Sequence, residues 1–288
     1  MSKLMLAQVS DTHILPDPRG ELRGRRLLPR LERIVDRIGT RVASGERLDL
    51  VVFTGDQVQD VPEAYPTFLG AIAQLNVPVA FVPGNHDHRD GFARYLSPLQ
   101  GAVPANAANA PSDAGAVPSN AANAPSGAGT VPSDAAEENS LFRCLHIGST
   151  RILLLDSLWD GQVEGRIGPR QLEWIDATLR DSAAELTLVF VHHPPIPTGV
   201  DWLDPHVITD GDELVEILST HAVESLFFGH VHQPMTLRRA GLVAVSAPAT
   251  SFGFGGDGKA PVILEDPPAL RWIEVDGRNV RSRVETVG

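Results

Sequence analysis

With 288 residues, 42% hydrophobic and 21% charged, the chain can bury a substantial core as one domain spanning 1–288. Its net charge of −12 argues against a nucleic-acid polymer as partner, since such binding needs clustered cations, and the single cysteine, Cys144, excludes an intrachain disulfide. No apolar stretch is long enough to span a membrane, and the first apolar run starts too early to leave room for a secretory leader. The expected compartment is the cytoplasm, with no membrane partner.

In chain order, strand and helix patterns alternate. Leu4 to Val9 reads as a buried strand and runs into Ser10-Asp11-Thr12-His13. Leu27, Leu28, Leu31, Ile34, Val35, Ile38 and Val42 recur at helical spacing. A second buried strand, Leu48 to Thr54, ends in Gly55-Asp56. A helix is predicted over Glu63–Leu75, and the strand Val77 to Val82 leads into Gly84-Asn85-His86-Asp87. Residues 101–139 break the pattern: Gly101 to Ala114 recurs almost unchanged from Gly115 to Ala128, and a decaying third copy starts at Gly129. Ala, Asn, Pro, Ser and Gly dominate there, leaving little to bury against the entropy of ordering, which predicts a flexible low-complexity surface insertion. Further strands are predicted at Arg151 to Asp156, Leu186 to Val191, Ser225 to Phe228, Leu242 to Ser246 and Leu270 to Val275. Helices are predicted at Pro169–Leu179 and Asp212–His221. Trp174 and Trp272 fall within these patterns as core residues. Mixed sheets with helices outside, an α/β fold, follow from this order.

The chemistry sits where those strands end. Asp11 and His13, Asp56, Asn85 with His86 and Asp87, His192 in His192-His193-Pro194-Pro195, and His230 and His232 in Gly229-His230-Val231-His232 each follow an apolar run. Strand mouths are where α/β proteins assemble a site from distant parts of the chain. Imidazoles with carboxylates and an amide oxygen, and no thiolate, suit Mn, Fe, Zn or Co. Two such cations about 3.5–4 Å apart can share a carboxylate and clamp a phosphate, and Asp56, on a rigid strand end, is placed to bridge them. Any one of these histidines alone would more often be a packed or surface residue; five ordered groups at five strand ends point to a two-metal centre.

The pattern DxH, GDxxxD, GNHD, HHPP and GHxH resembles the calcineurin-like metallophosphoesterases. Within them, His192 to Asp204, Ser246-Ala247-Pro248-Ala249-Thr250 and Pro267 to Trp272 are similar to class III cyclic nucleotide phosphodiesterases and related bacterial glycerophosphodiesterases. The resemblance implies a four-layer α-β-β-α sandwich of two mixed sheets. It implies one metal on Asp11, His13, Asp56 and His232 and a second on Asp56, Asn85, His192 and His230. His86 would act on the phosphate or leaving group, with Asp87 orienting its ring, while a metal-bridging hydroxide attacks a small phosphodiester. cAMP is the expected substrate and a glycerophosphodiester the runner-up. A non-catalytic binding scaffold, as in a retromer subunit of this fold, is the alternative of another class, and a homodimer or higher homo-oligomer stays open. Trp202, Asp204 and His88 are candidate substrate contacts, and Phe252 and Phe254, on a glycine-rich loop, could meet substrate or a partner subunit. Two departures stand out: His88-Arg89 replaces the usual second Asp after GNHD, and Pro248-Ala249-Thr250 lacks the usual serine.

Overall fold

A computed structural model of the chain describes residues 3–104, 141–181, 183–256 and 258–288. The first half contains β1 (Leu4–Val9), β2 (Glu21–Leu22), β3 (Arg25–Arg26), α1 (Leu28–Ala43), β4 (Leu50–Thr54), α2 (Tyr65–Ile72), β5 (Val79–Val82) and α3 (Arg89–Tyr95). The second contains β6 (Arg143–Ile147), β7 (Thr150–Leu154), α4 (Pro169–Leu179), β8 (Leu186–Phe190), α5 (Gly211–Thr220), β9 (Ser225–Phe228), β10 (Thr236–Arg239) and β11 (Leu242–Ser246). Then come β12 (Gly253–Gly255), β13 (Val262–Leu264), β14 (Ala269–Asp276) and β15 (Asn279–Thr286).

Two mixed sheets form, in the orders β15-β14-β1-β4-β5 and β10-β11-β9-β8-β7-β6. Their central strands run parallel, β1 with β4, β4 with β5, and β7, β8, β9 and β11 in turn, while β14, β15, β6 and β10 add antiparallel. The two-residue alternation of a strand explains the layering. Leu4, Leu6, Leu50, Val52, Ala80 and Val82 face Ile152, Leu154, Leu188, Phe190 and Phe227 between the sheets. Ala7, Val9, Val51, Phe53, Val79 and Phe81 point the other way, onto Leu31, Ile34, Val35 and Ile38 of α1 and Phe68 of α2. On the far side Leu153, Val189, Leu226 and Phe228 meet Ile175 of α4 and Leu214 and Leu218 of α5. The result is the expected α-β-β-α sandwich. Central strands covered on both faces have no polar side to show, which is why they read as unbroken apolar runs.

The predicted helix at 63–75 is a single 3₁₀ turn, Pro62–Ala64, followed by the short α2. Most of the repeat, 105–139, lies outside the described residues, but its first residues belong to the first sheet: Val79 N donates to Ala102 O at 2.9 Å and Gly101 N to Val79 O at 2.7 Å. Among the described residues no helix is long and apolar enough to cross a membrane.

At one end of the sandwich the loops are stitched backbone to backbone. Asp11 N donates to Gly55 O (3.1 Å), His13 N to Asp56 O (2.9 Å), Asp60 N to His86 O (2.9 Å) and Gly229 N to His192 O (2.9 Å). Gln8 ties the sheets just beneath, its Nε2 donating to Thr54 Oγ1 at 3.0 Å in one and Phe228 O at 2.9 Å in the other.

Candidate metal centre

The stitched loops bring the predicted ligands from both sheets to one place. Asp11, His13, Asp56 and His232 each offer a ligand atom within 4.8 Å of the others, and all four are buried. Asp56 Oδ2 lies 3.6 Å from His13 Nε2 and 3.3 Å from His192 Nε2, between two groups of ligands. On the second side, Asn85 Oδ1 is 3.2 Å from His192 Nε2 and 3.0 Å from His230 Nδ1. His193 also approaches His192 and His230, but both of its ring nitrogens are engaged, Nδ1 with Ser157 Oγ at 2.8 Å and Nε2 with Val163 O at 3.0 Å. It supports the centre and has no lone pair to give.

The donor set fits two cations, because its facing atoms have no partner in one another. His192 Nδ1 donates to Thr54 O and His232 Nδ1 to Phe252 O, both at 2.8 Å, and His13 Nδ1 meets Gln59 Oε1 at 2.8 Å. Each of these bonds puts the proton on Nδ1 and leaves Nε2 as a bare acceptor aimed inward, the arrangement that orients histidine ligands on metals. His13 Nε2 and His232 Nε2 then face each other at 3.1 Å, and His192 Nε2 faces an amide oxygen and a carboxylate. Acceptors converging on acceptors in a buried site call for cations between them.

Electrostatics agrees. Burial pushes His13 down to about 4, against Asp56, and holds His230 well below the usual imidazole range, so both are neutral and able to donate a lone pair. Burial also opposes charge on His192, but the Asp56 carboxylate outweighs it and raises that ring to about 9, so a cation binding between the two takes the place of a proton on Nε2. Asp56 stays well below the usual carboxylate range because His192 and His86 overcome its burial. The backbone is strained at the same points. Asp11, His13, Asp56, His230 and His232 adopt left-handed φ values of 54°, 48°, 53°, 65° and 55°. Such conformations cost of order 1–3 kcal/mol each and persist only where surrounding structure enforces them. Two motif glycines permit the close packing: a Cβ on Gly55 would lie 2.1 Å from His192 Nδ1, and one on Gly84 2.2 Å from Asp56 Oδ1.

His86 stands beside the first group, its ring edge-on to His13 with centroids 5.0 Å apart. Asp87 does not orient it, contrary to the sequence-based expectation. The Asp87 carboxylate is buried and accepts from Gly84 N (2.9 Å), Gln57 N and Val58 N (both 3.4 Å) and Tyr65 Oη (3.1 Å), which binds the GNHD turn to the Gly55 loop. Burial, with Asp56 nearby, raises it to about 7. The ring is held instead by Asp60, whose Oδ1 lies 2.6 Å from His86 Nδ1, and Gln59 Nε2 approaches the same nitrogen at 2.9 Å. Burial disfavours charge on His86, but Asp56 and Asp60 raise its pKa above the usual value. Asp60 is the final residue of the GDxxxD pattern, so its signal was present in the sequence without an assigned role.

The three proposed substrate contacts fare differently. Trp202 is half-buried and edge-on to Phe254 at 5.3 Å, and Phe254 stacks on the ring of His232 at 4.5 Å. Phe252 packs beneath, 5.0 Å from His232 and 6.0 Å from His13, with Arg23 at the tip of the β2–β3 hairpin over its ring. Asp204 is turned into its own loop: its Oδ1 accepts from Thr198 N (2.6 Å), Thr198 Oγ1 (2.7 Å) and Gly199 N (3.1 Å), which commits that oxygen to shaping the loop. His88 is the exposed N-cap of α3 and accepts from Gly91 N at 3.3 Å. Arg89, beside it in the same departure, bonds Asp156 Oδ2 (2.6 Å), Leu158 O (2.6 Å) and Asp160 Oδ2 (3.1 Å), fastening the GNHD segment to the loop after β7.

Residues 4–234 match the calcineurin-like phosphoesterase family. Over 281 residues the chain is 27% identical to the 3′,5′-cyclic adenosine monophosphate phosphodiesterase CpdA of Pseudomonas aeruginosa, covering 96% of this chain and 88% of that protein. Over 211 residues it is 30% identical to the glycerophosphodiester phosphodiesterase GpdQ of Enterobacter lignolyticus, covering 71% of this chain and 63% of that one. In fold it is similar to a dimetal phosphatase from Danio rerio, with a TM-score of 0.62 and 16% identity over 99% of both chains. A match over most of the chain, with the motif residues gathered at one end of the sandwich, places it: the chain belongs to the calcineurin-like phosphoesterase family and is an enzyme of that family.

Proposed function

We propose that the chain is a metal-dependent phosphodiesterase of small substrates, 3′,5′-cyclic nucleotides and cAMP first among them. The observation that carries this reading is the convergence of the His13 and His192 imidazoles on Asp56 Oδ2, with His86 alongside and an aromatic wall beside it. Asp11, His13, Asp56 and His232 would hold one cation, and Asp56, Asn85, His192 and His230 the other. When bound, the cations polarise the phosphate and supply a nucleophile at neutral pH. His86, whose protonated form Asp56 and Asp60 favour, stabilises charge on the phosphate and delivers a proton to the departing oxygen, the general-acid role a histidine commonly takes. The Phe254 and Trp202 rings offer an apolar face to a nucleobase, and stacking of this kind is worth about 1–3 kcal/mol per base.

The relative named as a cAMP phosphodiesterase supports this substrate, and the relative named GpdQ supports glycerophosphodiesters as the second reading. A non-catalytic scaffold has no use for an intact ligand set with a strained backbone and a positioned His86. The test is kcat/KM of metal-reconstituted protein across cAMP, cGMP, glycerophosphodiesters and an aryl phosphodiester. We expect turnover of both cyclic nucleotides and of the aryl diester. Brisk cleavage of glycerophosphodiesters with none of any cyclic nucleotide would overturn the first reading and leave the second.

A further inference from the structure

We propose that His206 recognises the substrate hydroxyl next to the reacting phosphate, the ribose 2′-hydroxyl in a cyclic nucleotide. This deepens the reading above and rests on it. His206 ends the 3₁₀ turn Asp204–His206 in the loop that follows His192. Its ring stands across from that of His230, with centroids 6.5 Å apart and planes at 71°, so it flanks the second group of ligands as His86 flanks the first. Its Nδ1 is buried and has no hydrogen-bond partner. A buried polar atom left unpaired costs about 1–3 kcal/mol; His206 as a whole is only partly buried, so a turn of its ring brings the nitrogen to a ligand that supplies the missing partner.

The loop backbone that carries the ring is fastened on both sides. Asp204 fastens one side to Thr198 and Gly199, and on the other Gly165 N donates to Val207 O at 3.1 Å and Thr209 N to Gly165 O at 2.8 Å. A donor or acceptor fixed before the substrate arrives discriminates better than one that must be ordered on binding. Three other polar side chains around this loop already bond within the protein: His193 to Ser157 and Val163, Asp204 to its own loop, and Asp210 to Ile167 N and Gly168 N. An imidazole nitrogen either donates or accepts according to its tautomer, and a hydroxyl does both, so the two match without any charge on the ring. The phosphate oxygens have the cations and His86. The neighbouring hydroxyl has no other unpaired buried partner on the loop after His192.

Wild-type protein should therefore prefer cAMP to 2′-deoxy-cAMP by about tenfold in kcat/KM, the effect of one hydrogen bond to an otherwise unpaired buried group. His206→Phe should lose that preference, falling about tenfold on cAMP through KM and little on 2′-deoxy-cAMP or on an aryl diester. His206→Asn, whose amide can stand where Nδ1 stood, should keep activity on cAMP within about threefold. Calorimetric binding of AMP and 2′-deoxy-AMP to the same metal-loaded proteins gives the result without turnover: His206→Phe should weaken AMP alone. Equal affinity of wild-type protein for the hydroxyl and deoxy ligands would overturn the proposal without any variant, as would an equal loss on both in His206→Phe of unchanged metal content and melting temperature. If the protein ignores cyclic nucleotides and cleaves glycerophosphodiesters, only the substrate reading has failed. The same comparison is then run on glycerol esters with and without the 2-hydroxyl, where loss of discrimination in His206→Phe supports the role and its absence refutes it.

Discussion

The floor and the wall of this site are built by opposite means. The floor takes its side chains from strand mouths in both sheets, locks its loops by backbone hydrogen bonds, and satisfies one nitrogen of His13, His192 and His232 so that the other must face inward. The wall is one loop and a short hairpin, held by side chains that bond within the loop itself, such as Asp204, and by ring contacts between Trp202, Phe254 and His232. The floor can treat any phosphodiester alike, because it addresses only phosphorus and its oxygens. Discrimination is expected from the wall, whose only ties to the floor's ligands described above are Phe252 and Phe254 against His13 and His232.

The largest effects should come from breaking the floor. Asp56→Ala should abolish activity and lose most bound metal, whereas His86→Ala should lose about 10²–10⁴ in kcat, the usual span for a proton-transfer group, while keeping its metal. Elemental analysis of the two purified proteins decides it; if His86→Ala is as metal-poor as Asp56→Ala, the division of roles is wrong. Asp60→Asn, which loosens the His86 ring, should cost about 10–100-fold with metal content unchanged. Wall substitutions should separate substrates. Phe254→Ala and Trp202→Ala should lower kcat/KM for cAMP by about tenfold, within the range of base stacking, and spare the aryl diester. Equal losses on both substrates would reduce the rings to packing.

The smallest effect is expected from the insertion. Deleting residues 105–139 should leave stability within about 1 kcal/mol by thermal melting and kcat/KM nearly unchanged. A tenfold fall in kcat/KM would make the insertion part of the wall. Extending the cut back through Ala102 should cost more, because that residue pairs with Val79 at the edge of β5.

The same contrast governs what the sequence discloses. Each floor residue follows a strand buried on both faces, and an unbroken apolar run ending in a polar motif survives in one dimension. What fails is inference from adjacency. Asp87 follows His86 in the chain, yet the tight turn closed by Gly84 N sends the carboxylate back into the protein, and the partner of the ring is Asp60, 26 positions earlier. Asp204 sits in the right loop and faces away from its mouth for a similar reason, since a carboxylate with three nearby donors shapes the loop that carries it. The hairpins β2–β3 and β12–β13 are too short to show a period, and α3 is a seven-residue helix begun by His88, so neither the wall nor the arm bearing Arg23 leaves a pattern to read.

The strand that carries Asp11 and His13 has its second neighbour far along the chain. β14 pairs with β1 from Leu4 opposite Val275 to Gln8 opposite Arg271, and β15 closes the edge, with Trp272 Nε1 bonded to Glu285 and Arg41 of α1 lying over the Trp272 ring. The carbonyl that fixes His232, Phe252 O, is also beyond residue 234, where the family match stops. The segment that the family model matches is thus shorter than the packed unit. A gene fragment cut at residue 234 would encode all seven proposed ligands but leave His232 without its tautomer lock and the Asp11 loop without its bonds from Thr250 and Ser251. It would also bare β1 as an apolar sheet edge, a template for aggregation.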